Sequence, residues 1–336
     1  MSGSFTWIDG ERLVRFGAGA LDDAPGLLAQ RGFEGYALLT TERAEASAPH
    51  LVEAAAVVLH VPSGSVPDAA AAVLEGVQDR PVVALGGGRV VDAAKAVAGV
   101  ESLGCAAVPT TLAGSPMTPF HRLPTGTRGG QLIRPSLVVW DPRLAASLER
   151  AQLVATAMNA LAHAFESLYV PHANPVAEMA ALRAAALFGG QLPRERPDVE
   201  EVALAALLAG YAVGTTGFAV HHALCQTTVR VADLPHAQVN AVMLPHTSGL
   251  MAIRAPTAVG RFAEALGDPD GDPANAPVRI ARLTAETGVD GLGELGLDPD
   301  LIPQIAHAAV GHPALGNTPG GAPVEAELEV LLRAAL

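Results

Sequence analysis

The sequence predicts an α/β protein in two parts, a mostly parallel α/β domain over residues 1–145 and an all-helical domain over residues 146–336. Two observations carry this prediction. Strand-like runs alternate with helix-like segments through the first 145 residues, which is typical of βαβ units. From about Leu144 onward, Ala- and Leu-rich segments with helical spacing follow one another, and no strand-like run separates them.

The predicted strands of the first part are short apolar runs, most of which end in turn-forming residues. They are Tyr36–Leu39, Ala54–His60, Pro81–Leu85, Ala106–Val108 and Leu137–Trp140. Helix-compatible segments lie between them at Ala44–Glu53, Val66–Val77 and Val90–Val100.

The predicted helices of the second part are long and rich in Ala and Leu. They are Ala145–Tyr169, Asn174–Phe188, Val199–Leu224, Ser248–Ala265, Pro277–Thr287 and Val324–Ala335. The stretch from Val202 to Thr228 carries no charged residue and is long enough to span a bilayer. Its second half is small and polar, so we expect a central helix buried among other helices and no membrane contact.

Composition excludes several classes of protein. The chain of 336 residues has a net charge of −13 and no basic cluster, which argues against nucleic-acid binding. Two cysteines cannot build a disulfide framework or a Cys-rich zinc site. The segment Met1–Arg15 has charges among its apolar residues and no signal-peptide core, so a cytoplasmic enzyme is expected. Of the 21 basic residues only Lys95 is lysine.

A glycine-rich turn follows the predicted strand Pro81–Leu85. Gly86, Gly87 and Gly88 lead directly into a predicted helix. Without Cβ atoms the backbone can approach a phosphate, and a helix N-terminus adds favourable partial charge. The motif is not G-x-G-x-x-G, so it predicts a phosphate cradle of another kind or a tight strand-to-helix turn.

A second loop follows the next strand and carries hydroxyl groups. Thr110, Thr111 and Ser115 stand after the strand Ala106–Val108. Ligands in open α/β sheets lie outside the carboxyl ends of the strands, so these hydroxyls are candidates for ribose or phosphate contacts. A Ser/Thr-rich turn with no ligand explains them equally well.

Histidines at helical spacing form the third feature. Asn159 and His163 are four residues apart, as are His222 and Gln226, so each pair shares a helix face. His236 follows fourteen residues after His222. Side chains on facing helices can meet as metal ligands, although single histidines are more often core or capping residues.

The order of these motifs resembles the iron-containing alcohol dehydrogenases and their dehydroquinate synthase-like fold. Further segments are similar to the maleylacetate reductase branch of that family. The resemblance covers nearly the whole chain and rests on Gly86–Gly88 with Asp92 and Lys95, Pro109–Ser115, Met158–Ala164, His221–Cys225, Leu234–Ala237 and Pro313–Asn317.

The resemblance implies NAD or NADP bound in a cleft between the two domains, without deciding which of the two. It implies cofactor-binding roles for Gly86, Gly87, Gly88, Asp92, Lys95, Thr110, Thr111, Ser115 and Thr41. It implies a catalytic set of His163, His222, His236, Asn159 and Gln226. Hydride transfer to a carbonyl or enone carbon is the chemistry expected, together with a homodimer.

The same resemblance places the family's metal ligands at Asn159, His163, His222 and His236. Metal-using relatives have aspartate at the position of Asn159, and a neutral amide weakens cation binding. A divalent metal, Zn or Fe, is therefore expected to bind weakly or not at all and not to be required.

The substrate is expected to be a small molecule, and an anionic one. Arginine suits carboxylates. Arg122, Arg128 and Arg134 lie in a hairpin that the resemblance implies, and Arg230 lies near the segment from His222 to His236, although surface ion pairs would explain them equally. A reductase of maleylacetate-reductase type is the leading hypothesis. Three alternatives stay open: a non-redox elimination or cyclisation, suggested by Gln226, Arg89 and Leu132; a metal-dependent alcohol dehydrogenase; and a binding protein that retains the fold.

Overall fold

The computed structural model describes residues 3–336, and the chain divides into two compact units, Met1–Ser147 and Leu148–Leu336. The first unit contains one sheet of seven strands. The strands are β1 (Phe5–Asp9), β2 (Arg12–Phe16), β3 (Ala37–Thr40), β4 (Val57–His60), β5 (Val82–Gly86), β6 (Cys105–Pro109) and β7 (Leu137–Trp140). Its helices are α1 (Ala24–Gln30), α2 (Glu42–Glu45), α3 (Pro49–Ala54), α4 (Val66–Leu74) and α5 (Gly88–Glu101).

The sheet is mostly parallel. Its strand order is β1-β2-β7-β6-β5-β3-β4, with β1 antiparallel to β2 and all other neighbours parallel. The central strands are buried on both faces, as expected of a parallel sheet covered by helices. In β5, Val82 and Ala84 join the core under α4 and α5, whereas Val83 and Leu85 join the core on the other face.

The second unit consists of helices joined by turns and loops, with no strand among its described residues. Its helices are α6 (Arg150–Glu166), α7 (Pro175–Gln191), α8 (Val199–Thr216), α9 (Val220–Ala232), α10 (His236–Arg254), α11 (Pro256–Ala265), α12 (Asn275–Thr284), α13 (Ile302–Val310) and α14 (Glu325–Ala334). Helix α6 is central and packs against α7, α8 and α10. An α/β unit followed by a helical unit confirms the predicted fold class.

Helix α8 is long and apolar enough to cross a membrane by length and composition alone. Most of it is buried, and it packs against α6 and α7. A core helix passes the same composition test, which agrees with the central position that the sequence predicts.

Three differences between the structure and the expectations have a clear local cause. Strands β1 and β2 were not predicted, and they form a hairpin turned at Gly10, whose φ of +62° suits glycine. The predicted helix Val199–Leu224 is two helices, because Gly217 at φ +87° ends α8 and α9 begins at Val220. Likewise Pro256 starts α11 after a break at Ala255, within the predicted helix Ser248–Ala265.

The segment 119–136 was expected to be a hairpin, which is wrong, because the described residues there form turns and irregular backbone without a strand. The segment is held against α5 instead. Gln131 N–H donates to the carbonyl of Gly99 at 2.9 Å, and a Cβ on Gly99 would collide with the Gln131 carbonyl oxygen. Only glycine permits this close approach.

Candidate functional site

The glycine loop of the first unit connects β5 to α5 without an intervening turn. Gly86 ends the strand, Gly87 is the N-cap of α5, and Gly88 is its first residue. Larger residues would collide with their neighbours here, since a Cβ on Gly86 would lie 2.7 Å from the Val90 side chain and one on Gly87 would lie 3.0 Å from Thr111. The glycines therefore let the helix begin directly at the strand end, with its first N–H groups directed outward as an anion would require.

Two neighbouring strands end beside this loop. Strand β6 lies on one side of β5 and β3 on the other, and parallel strands place their carboxyl ends at one edge. Thr110 N–H donates to the Gly86 carbonyl at 3.0 Å. At the end of β3, the Thr41 hydroxyl accepts from Ala44 N–H at 3.3 Å and retains its own proton for donation. The structure thus brings Thr41, Thr110 and the glycines to one edge, an arrangement that fits a dinucleotide.

Lys95 lies inside the first unit with no exposed surface. Its ammonium donates to the carbonyl oxygens of Ser115 (3.0 Å), Thr118 (3.2 Å) and Phe120 (2.6 Å), and it lies 2.8 Å from Asp92 Oδ1. Asp92 in turn accepts a hydrogen bond from the Ser115 hydroxyl. The Lys95 donors are therefore used within the chain, and direct contact of Lys95 with a cofactor stays a prediction.

The histidine cluster of the second unit is formed by α6, α9 and α10. Asn159, His163 and Glu166 lie on one face of α6, and His222 lies in the first turn of α9. The rings of His163 and His222 stack with centroids 4.7 Å apart. Phe218, in the turn before α9, lies 4.5 Å from the His222 ring. Asn159, His163 and His222 are all buried.

Glu166 forms a hydrogen bond with Nδ1 of the His222 ring. His222 Nδ1 donates to Glu166 Oε2 at 2.6 Å, and neither side chain is more than 1% exposed. Burial raises the pKa of Glu166 and lowers the pKa of His222 well below its usual value. His222 Nε2 is buried and has no hydrogen-bond partner among the described residues 3–336. A ring held in this way presents Nε2 to a bound molecule.

A second network of buried hydrogen bonds links His236 to His221. Asn240 Nδ2 donates to the His236 carbonyl at 2.7 Å, which orients the amide so that its Oδ1 accepts from His221 Nε2 at 3.1 Å. His221 Nδ1 lies 2.9 Å from the Thr247 hydroxyl. Burial lowers the pKa of His221 to about 3, so this ring is neutral. Asn240 Nδ2 also lies 3.4 Å from His236 Nε2.

Gln226 is oriented by His312. Ala314 N–H donates to His312 Nδ1 at 3.2 Å, so the proton of the neutral ring is on Nε2, which donates to Gln226 Oε1 at 3.3 Å. The amide nitrogen of Gln226 is thereby left as a donor. Burial lowers the pKa of His312, and the positive charge of Arg230 lowers it further.

The donor set does not fit a resident metal ion. Over residues 3–336 no three His, Cys, Asp or Glu side chains are grouped so that they could hold a metal. His236 Nε2 faces an amide N–H, and the nearest carboxylate, Glu166, lies behind His222. Iron and zinc sites need at least three converging ligands, so we derive no step through a metal.

Sequence reasoning missed four residues that organise the cluster: Glu166, His221, Asn240 and His312. Glu166 had a visible signal, since it is three residues beyond His163 and is the one carboxylate of helix α6. His312 precedes the motif Pro313–Asn317, and Asn317 Nδ2 donates to the Phe218 carbonyl at 2.8 Å. The other two act through contacts that only the fold reveals.

Comparison with known proteins agrees with this architecture. The sequence profile of the iron-containing alcohol dehydrogenase family matches residues 12–142, and the profile of its C-terminal domain matches residues 153–336. Maleylacetate reductase from Sphingobium indicum is 34% identical over 320 residues, which is 89% of each chain. The crystal structure of maleylacetate reductase from Agrobacterium tumefaciens superposes with a TM-score of 0.82 at 28% identity, covering 100% of this chain and 99% of the other. A putative alcohol dehydrogenase from Ralstonia eutropha JMP134 gives a TM-score of 0.84 at 29% identity, covering 99% and 98%.

The family match and the maleylacetate reductase relatives indicate an NAD(P)-dependent oxidoreductase. The chain belongs to the iron-containing alcohol dehydrogenase family, near its maleylacetate reductase branch.

Proposed function

We propose that this protein uses NADH or NADPH to reduce a carbonyl or an activated double bond in a small carboxylated molecule, with maleylacetate as the first candidate. The observation that carries this proposal is the histidine cluster, in which His163 and His222 stack beside the neutral amide of Asn159. The similarity to maleylacetate reductases, which extends over both units, supports the choice of substrate.

The cofactor supplies the hydride, and the glycine loop of the first unit binds it. Gly86–Gly88 and the N-terminus of α5 receive the pyrophosphate, while Thr41, Thr110, Thr111 and Ser115 offer hydroxyls to the rest of the dinucleotide. Asp92 and Lys95 hold Ser115 and its loop in place. Thr41 carries no negative charge that would repel the 2′-phosphate of NADPH, so both NADH and NADPH are to be tested.

The histidine cluster acts on the substrate. Hydride transfer to a carbonyl carbon leaves charge on the oxygen, and preorganised N–H donors stabilise such charge. The amide nitrogens of Asn159 and Gln226 are the neutral donors of the cluster, and His163, His222 and His236 are its imidazoles. Arg230, near His312, suits a carboxylate of the substrate.

We propose that the reaction runs without a metal ion. The neutral Asn159 and the absence of a converging ligand set over residues 3–336 support this. We also propose a cytoplasmic homodimer, in keeping with the resemblance to the family. The charge of −13 supports a lack of nucleic-acid binding.

The test follows the absorbance of reduced nicotinamide with purified protein and maleylacetate, with each cofactor in turn. We expect cofactor oxidation that depends on the substrate and is lost in His222→Asn. Exchange of His50, a half-buried histidine of the first unit, for asparagine serves as the control and leaves the rate unchanged. Absence of substrate-dependent oxidation with both cofactors would contradict the proposal.

A further inference from the structure

Glu166 is a fully buried carboxylate for which the reaction described above has no role. It stands at the end of α6, 56 residues before His222, and none of its surface is exposed. Burying an ionised carboxylate is costly unless donors surround it. The donors that surround Glu166 indicate what it does.

One oxygen of Glu166 caps a helix. Glu166 Oε1 accepts from the backbone N–H of His221 at 2.8 Å and of His222 at 3.4 Å, in the first turn of α9. The N-cap residue of α9 is Ala219, whose side chain has no oxygen for this purpose. These N–H groups fix the orientation of the carboxylate, because they occupy Oε1.

The other oxygen therefore points in one direction only, toward the ring of His222. Glu166 Oε2 is 2.6 Å from Nδ1, and a proton lies between them. His222 Nε2 is left buried without a partner among residues 3–336. The ring therefore has one nitrogen bound to the protein and one available to a ligand.

We propose that Glu166 is a positioning residue that keeps a proton at Nδ1 of His222, so that Nε2 is the ring nitrogen that exchanges the reacting proton with the substrate oxygen. The catalytic part of this inference rests on the proposed reductase function. In the reduction, the cofactor hydride forms the new C–H bond and the carbonyl π pair moves to oxygen. Because the neutral ring carries its proton at Nδ1, Nε2 first takes a proton from solvent, and the Glu166 carboxylate balances the charge of the doubly protonated ring. The oxygen then takes this proton from Nε2, and the proton at Nδ1 stays in place.

Glu166→Gln separates this role from a purely structural one. The glutamine oxygen can still accept from the two backbone N–H groups, so α9 stays capped. Its amide nitrogen then faces Nδ1 and donates to it, which removes the proton from Nδ1 and places the ring proton on Nε2. Such a ring cannot release its remaining proton without becoming an imidazolate, so proton exchange at Nε2 is blocked.

The experiment combines ring nitrogen NMR with kinetics. In histidine-labelled protein, with His222 assigned by the signal lost in His222→Asn, we expect Nδ1 protonated in the wild type and unprotonated in Glu166→Gln. We expect kcat to fall by about 10–100-fold with cofactor affinity and melting temperature close to wild type. Glu201→Gln is the matched control, since Glu201 accepts from the Gln191 amide and contacts no histidine of the cluster. It leaves the tautomer and the rate unchanged.

Two results would overturn the inference: a wild-type ring with its proton on Nε2, or a Glu166→Gln variant that keeps the wild-type tautomer. A Glu166→Gln variant with wild-type kcat would overturn its catalytic part. The NMR measurement needs no substrate, so an inactive wild-type protein would count against the proposed function and leave the tautomer test intact.

Discussion

Replacing Lys95 by methionine tests whether the single lysine of the chain stabilises the segment from Ser115 to Phe120, beside the proposed cofactor site. Its ammonium is fully buried, donates to three carbonyl oxygens and pairs with Asp92 at 2.8 Å. Methionine has similar length but leaves these acceptors without a donor. Removing one partner of a buried ion pair costs about 3–5 kcal/mol. The Asp92 side chain is 29% exposed, which lets water replace part of the loss and favours the lower end of that range.

The assay is urea unfolding of wild type and Lys95→Met, together with titration of NADH and NADPH. We expect the unfolding free energy to fall by about 3 kcal/mol, a large part of a typical stability of about 5–15 kcal/mol. Weaker cofactor binding should follow, because Ser115 loses its support. Arg333→Met removes an exposed cation that pairs with Glu329, and it should cost no more than about 0.5 kcal/mol. A loss under about 1 kcal/mol in Lys95→Met would refute the reasoning.

Three further predictions concern the loop, acid stability and metals. Gly86→Ala should abolish cofactor binding, since its Cβ would lie 2.7 Å from Val90, whereas Gly190→Ala, with open space around its Cβ, should bind normally in the same titration. Burial acts to raise the pKa of Asp141, but hydrogen bonds from Arg143 outweigh this effect, and the pKa is lowered from 3.8. The ionised Asp141 side chain therefore stabilises the fold above pH 3.8, and this stabilisation is lost as pH falls through the folded pKa. The stability gap between wild type and Asp141→Asn should therefore narrow as pH falls below about 4 and close only below the folded pKa in urea unfolding, and a gap that stays constant as pH falls through this range would contradict this. Prolonged treatment with EDTA should leave the reductase rate unchanged, and a loss restored by zinc or iron would show that a metal is required.

The sequence was sufficient to predict those parts of the candidate sites that are formed by residues close together along the chain. The glycine loop is a local signal, because a strand, three glycines and a helix start are contiguous. The pairs Asn159–His163 and His222–Gln226 follow from helical spacing, and the stack of His163 on His222 is consistent with the predicted meeting of helices. The hairpin of β1 and β2 was missed although Asp9-Gly10 is a strong turn signal between alternating residues.

Contacts between distant segments could not be read from the sequence. The Glu166–His222 bond joins residues 56 apart, and the His312–Gln226 bond joins residues 86 apart. The resemblance implied a cofactor-binding role for Lys95, but its oxygen partners come from the irregular segment around Thr118 and Phe120. Irregular backbone has no periodic pattern from which such contacts could be inferred.

Isotope transfer tests the central claim most directly. The protein is incubated with maleylacetate and NADH or NADPH that carries deuterium at the transferable position of the nicotinamide, and the product is analysed by mass spectrometry. Hydride reduction predicts one deuterium in each product molecule, bound to carbon, and none in the product formed with unlabelled cofactor. A product that contains no deuterium from either cofactor would contradict the account and favour a non-redox reaction.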